Sequence, residues 1–264
     1  MSLFNFFRKK GKKEESKNPN QLIFKDDHGN EISMSDLEGV TGRYNWEIVG
    51  DKKIPNEAIV LHQEARQHGG KGEYDEGIDK LLKANQIAPE WAYPVYDLGY
   101  TYLLRQDSPN ALKYYERTDQ LEPRGFFTAK TAYWSLKKEE TGEYPKGLYL
   151  AYMQIEWKNS EEEKLQLAKA ILEKFPNYAP AWKEIASKSN DNKERLSAIE
   201  KGLKSNPDLE TKGMLLINKA LIDDVEGDTS HAKIILGELI FDKESTVANI
   251  EMAKFVLSSI ATKN

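Results

Sequence analysis

Two prolines, Pro89 and Pro123, stand 34 residues apart, and the residues leading up to each of them match in kind. Small side chains recur in step: Ala65 with Gly99, Gly77 with Ala111. Large ones recur between them: His68 with Tyr102, Leu81 with Tyr115, Ile87 with Leu121. A fixed period of this length marks a chain built from stacked copies of one small unit. A proline just past an apolar stretch suits the end of a helix, because its ring fixes φ and it has no N–H to donate. From Pro55 onward apolar residues keep helical spacing, broken at short intervals by Gly, Asn, Asp, Ser or Pro. The spacing predicts helices near 55–69, 74–87, 91–104, 109–120, 125–139, 144–157, 160–175, 179–188, 191–205, 209–225, 229–242 and 245–261. No strand pattern alternates with them, so a parallel α/β sheet is not expected.

The residues Tyr96-Asp97-Leu98-Gly99-Tyr100-Thr101-Tyr102, followed by Ala111, Tyr115 and Pro123, resemble the tetratricopeptide (TPR) pattern of small and large positions in a 34-residue helical hairpin. Gly72, Tyr74, Gly77, Leu81, Ala84 and Pro89 resemble the second half of another copy. Phe175 to Trp182 is similar to a junction between copies, and Gly227-Asp228 with Ala232, Leu236 and Leu239 resembles a last one. The resemblance implies an all-α, right-handed helical-hairpin solenoid over 55–264, closed by a capping helix at 245–261. Two departures stand out. Pro176 to Pro207 spans 31 residues, which reads as a shortened inter-helix turn, and 125–175 holds three helices where the period expects an even number.

In TPR proteins the second, fifth, ninth and twelfth positions of each first helix line a concave groove. Carried over, these are Ile59, His62, Arg66 and Gly69, then Tyr93, Tyr96, Tyr100 and Leu103, then Phe127, Lys130, Trp134 and Lys137. The resemblance therefore implies a partner-binding wall at His62, Arg66, Tyr93, Tyr96, Tyr100, Phe127, Lys130 and Trp134. Tyr and Trp provide large contact area with few rotamers to freeze, and Lys and Arg provide charge complementarity for an acidic or C-terminal segment. The competing reading is that these aromatics are packing residues. The clamp by which some TPR proteins hold a chaperone C-terminus would need other residues at His62, Arg66, Asp97, Phe127 and Thr131, and none matches.

Residues 21–54 read as a short N-terminal capping element, irregular or β: a strand at 21–25, a turn at 26–30, a returning partner at 31–33, a helical turn near 35–37 and an extended stretch at 43–49. Residues 1–20 read as a basic, disordered tail, with Arg8, Lys9, Lys10, Lys12, Lys13 and Lys17 against Glu14 and Glu15. The whole chain carries −5, so the body beyond the tail carries −9, which argues against a nucleic-acid surface. The tail is either a weak membrane-surface anchor, with Phe4, Phe6 and Phe7 at headgroup level, or a solubilising terminus. Its order of charge and apolar residues is not that of an export signal, so a cytoplasmic location is expected.

No chemistry emerges. The chain has no Cys, which excludes disulfides and thiolate sites, and only 4 His. Gly69-Gly70-Lys71-Gly72 lacks phosphate-loop spacing, and Asp26 to Asn30 lacks the glycine and glutamate of a calcium loop. Asp223 to Glu226 reads as a solvated turn. No catalytic residue, metal or cofactor is expected. The function implied is a non-catalytic scaffold or adaptor for a protein or peptide, or alternatively a membrane tether working through the tail.

Overall fold

The computed structural model describes the backbone of residues 22–25, 31–32 and 45–48 and the chain from 54 to 262. The chain falls into two units, Met1–Asp51 and Lys52–Asn264. In the first, β1 (Leu22–Lys25) pairs antiparallel with β2 (Glu31–Ile32) and with β3 (Asn45–Ile48), giving the order β2-β1-β3. Phe24 stands opposite Ile32 on one side and Trp46 on the other. The basic tail, its membrane contact and the helical turn at 35–37 lie outside the described residues, as does most of the segment expected to act as a cap.

The second unit is a succession of helices: α1 (Asn56–Gly70), α2 (Tyr74–Ile87), α3 (Ala92–Leu104), α4 (Ser108–Leu121), α5 (Ala129–Glu140), α6 (Leu148–Met153), α7 (Glu161–Lys174), α8 (Ala179–Lys188), α9 (Asn192–Lys204), α10 (Leu209–Val225), α11 (Thr229–Phe241) and α12 (Val247–Thr262). Two kinds of connection alternate. Three-residue turns at 71–73, 105–107, 189–191 and 226–228 fold α1 on α2, α3 on α4, α8 on α9 and α10 on α11. Four-residue links at 88–91, 175–178 and 205–208, each carrying a proline, lead from one hairpin to the next.

The turns share a device. At 71–73, 105–107 and 226–228 the middle residue has positive φ: Gly72 (78°), Gln106 (60°) and Gly227 (96°). The next N–H then reaches back to the helix it has just left, Glu73 N to His68 O at 3.0 Å, Asp107 N to Tyr102 O at 2.9 Å, Asp228 N to Asp223 O at 2.8 Å. This is the Schellman closure, which satisfies carbonyls that a helix end leaves orphaned. Asp107, Asp191 and Asp228 then cap the following helices by accepting from Asn110 N, Lys193 N and His231 N.

The small positions lie where the pattern requires close approach. A Cβ on Gly77 would come to 3.3 Å from Ala65 O, and one on Gly99 to 3.1 Å from the Tyr115 ring. The apolar core follows the stack as a series of clusters, one around Ala65, Ile78, Leu81 and Leu98, a long central one, and one joining Ile217, Leu236, Val256 and Ile260. Each hairpin thus buries its apolar face against neighbours, as a solenoid must. The architecture is a TPR-like helical repeat, with α12 covering its last hairpin.

Three expectations need correction. The 31-residue spacing comes from α8, which has 10 residues where α3 has 13; the turn after it keeps three. The helix expected at 125–139 starts only at Ala129, because Gly125 and Phe127 have φ of 96° and 48° and hold 122–128 as a loop. The piece expected at 144–157 shrinks to the six residues of α6, preceded by Pro145 and the left-handed Gly147 and followed by i→i−3 turns to Lys158. Because α7 ends in a proline link like α2, α7 holds the place of a second helix in the repeat's phase, although it packs chiefly on α8. The odd element is α6, inserted between α5 and α7 and touching both.

Candidate functional site

On α3, Tyr93, Tyr96 and Tyr100 are spaced i, i+3, i+7 and so share one helix face. Opposite them on α1, His62 is buried and its Nε2 donates to Asp97 Oδ2 at 2.8 Å. The His62 ring meets Trp91 edge-on at 5.0 Å and Tyr93 at 5.9 Å. Arg66, one turn further along α1, has a side chain 70% exposed, with Nε 4.0 Å from the same Asp97 oxygen. From the loop before α5, Phe126 and Phe127 stand edge-on to Tyr93 at 4.9 and 5.6 Å. The result is a continuous sheet of rings in T-shaped contact, the arrangement aromatic quadrupoles favour. The buried His62, bonded to the half-buried Asp97, packs against it, with a guanidinium at its edge.

Tyr96 serves packing as well as surface. Its hydroxyl shares a hydrogen bond with Thr128 Oγ1 at 3.0 Å, and its ring contacts Tyr115, Phe126 and Phe127. Burial pushes its hydroxyl well above the ordinary tyrosine range. Burial also raises Tyr100, against an opposing contact from Trp157, a side chain 48% exposed just past α6.

The structure does not bring the remaining expected residues to this surface. Lys130 Nζ turns to Asp119 of α4 at 2.6 Å and is 12% exposed. Trp134 lies against Tyr144 and Tyr178 at 5.8 and 6.0 Å, with Lys138 Nζ 4.8 Å over its ring. Lys137 pairs with Glu140 on its own helix. Phe127 belongs to the loop and not to a groove-lining helix. The group that does come together is His62, Arg66, Tyr93, Tyr96, Tyr100 and Phe127.

Sequence reasoning missed Trp91, Asp97, Phe126 and Trp157. Trp91 ends the four-residue link 88–91, as Tyr178 ends the link 175–178, so an aromatic just before a first helix was a readable sign. Asp97 follows His62 by one repeat plus one residue, a spacing that places the two on adjacent first helices. Asp223 was also misread: it is buried, accepts from His231 Nδ1 at 2.8 Å and pairs with Lys219. Its partners lie four residues before and eight after, across the hairpin turn.

Among the described residues no helix is long and apolar enough to cross a membrane, and no group of three or more His, Asp or Glu is placed to hold a metal ion.

No protein-family model matches the chain, and no curated protein matches it. Among solved structures, it is similar to the flexible tandem repeat domain of a bacterial cellulose synthase component, at 18% identity over 75% of this chain and 96% of that one, with a TM-score of 0.48. It is also similar to MamA from Desulfovibrio magneticus RS-1, at 13% identity over 76% and 99% of the two chains, TM-score 0.34. A thermophilic TPR protein of Thermus thermophilus matches at 16% identity over 76% and 99%, TM-score 0.32.

Proposed function

We propose that this chain is a non-catalytic, cytoplasmic protein-interaction scaffold that receives a peptide or protein segment on the aromatic face of α1 and α3. One observation carries the reading: Trp91, Tyr93, Tyr100 and Phe127 keep part of their surface open, on a face held by the part-buried His62–Asp97 hydrogen bond. Rigid rings that need no further ordering are what a binding surface requires if immobilisation is not to consume the contact energy. Arg66 supplies a charge at the rim, where an acidic side chain or terminal carboxylate of the partner would meet it. Lys130 and Trp134 are not needed by this reading.

The test is peptide selection from a displayed random library on the full chain, followed by affinity measurement on variants. Tyr93→Ala with Phe127→Ala should weaken selected peptides by roughly 30-fold or more, the scale of a lost hot spot. Phe241→Ser, at a side chain 86% exposed elsewhere, serves as control and should leave binding unchanged. Peptides that bind the double variant as well as the parent, with both proteins melting alike, would refute the site.

A further inference from the structure

In a plain repeat stack each unit touches only its neighbours. Here α5, which follows the second hairpin, also touches α10, the first helix of the last hairpin, and the start of α12 joins them. Three helix N-termini, each with unpaired N–H groups and a partial positive charge, converge. Glu210 sits in the first turn of α10 but serves α5. Its Oε2 accepts from Thr131 N at 3.1 Å and Thr131 Oγ1 at 2.9 Å, and its Oε1 from Lys130 N at 3.3 Å. Asp208 caps α10 by accepting from Glu210 N and Thr211 N, and also lies 3.0 Å from Thr131 Oγ1. From α12, Asn249 Nδ2 donates to Leu209 O, and Val247 N donates to Arg124 O at 2.8 Å.

We propose that this convergence is a clasp that closes the solenoid on itself and loosens when Asp208 and Glu210 both carry charge. The closure rests on a few polar contacts across 77 to 123 residues of sequence, and two carboxylates of like charge form its centre. The groups facing them offer little compensation. On α5, Lys130 is committed to Asp119 of α4. From α12 and the residue just before it, the facing side chains, Asn249 and Thr246, are neutral. The Tyr96 and Tyr178 hydroxyls feel Glu210 and Asp208 respectively only as repulsive neighbours, and Lys183 acts on Asp208 from a distance while paired with Glu184. Burial first, then Asp208, pushes Glu210 from its ordinary 4.5 up to about 8, against the three hydrogen bonds from α5. A carboxyl raised on closure favours the closed form fully below pH 4.5, and that contribution is lost as pH rises to about 8.

Native-state hydrogen exchange on the full chain tests this, reading the Thr131 and Val247 amides after correction for intrinsic base catalysis. The opening constant at both should rise at least about tenfold between pH 5.0 and pH 8.0, while the Ala84 amide in α2 stays constant. In Glu210→Gln, which keeps the shape and cannot ionise, Thr131 and Val247 should show no such rise. Protection at Thr131 and Val247 that does not change with pH in the parent chain, or that falls equally at Ala84, overturns the clasp, whether or not the Gln variant folds. An equal rise in Glu210→Gln overturns the role of this carboxyl.

Discussion

At Gly99 an added methyl would lie 3.1 Å from the ring of Tyr115, a side chain fully buried between α3 and α4. The ring cannot retreat, because it also stands edge-on to Tyr96 and Tyr149. Overpacking of this kind costs about 1–3 kcal/mol, which outweighs the roughly 1 kcal/mol helix-propensity gain of Ala over Gly. Gly99→Ala should therefore lower stability, read as an earlier denaturant midpoint at unchanged slope; a later midpoint would show the ring has room. Such positions were legible because the repeat shows small residues in step, Ala65 with Gly99 and Gly77 with Ala111. The candidate site was legible only where side chains sit on regular helix. The Tyr93, Tyr96 and Tyr100 face follows from spacing alone. The destinations of Lys130 and Trp134 do not, because they depend on Asp119, Tyr144 and Tyr178 and on where α5 begins. Positive φ at Gly125 and Phe127 delays that start to Ala129, and positions counted from an earlier start land on the wrong face.

Among the elements, the hairpin turns carry their own test. Gly72 and Gly227 take the left-handed middle position without strain, whereas Gln106 takes it with a Cβ in the way, at φ 60°. A left-handed residue other than Gly costs about 1–2 kcal/mol, and Gly gives back about 0.5–1 kcal/mol through the freer unfolded chain. Gln106→Gly should thus stabilise the protein by about 0.5–1 kcal/mol, seen as a higher melting temperature. An unchanged or lower one would mean that the Gln106 side chain contributes something its backbone conceals. Helix boundaries agree closely with the periodicity wherever a turn residue announces them, as with Gly72, Asp191 and Gly227. They fail at α6, whose apolar residues keep helical spacing while Pro145, Gly147 and a tightened end restrict the helix to six residues. Apolar spacing reports which side chains seek the core. It does not report whether the backbone between them is free to remain helical.

For the whole molecule, a solenoid's stability is approximately a sum of local terms, so damage at one end should stay at that end unless something ties the ends to the middle. Ending the chain after Lys243 removes α12 and with it the buried Ile250, Val256 and Ile260, the last two packed in one cluster with α10 and α11. At about 1.5–3 kcal/mol for each large apolar side chain, the loss is about 5–9 kcal/mol, enough to unfold the last hairpin. A strictly nearest-neighbour stack would lose α10 and α11 and leave α5 as it was. With the clasp, the same cut also deletes Val247 and Asn249, and unfolding α10 withdraws Glu210 from the backbone N–H groups of Lys130 and Thr131. The shortened chain should therefore show hydrogen-exchange protection lost in α10 and α11, reduced at the start of α5, and intact in α1 and α2. Loss that spares α5 would confine the effect to the final hairpin, and loss spread evenly to α1 would mean that the hairpins fold as one cooperative body.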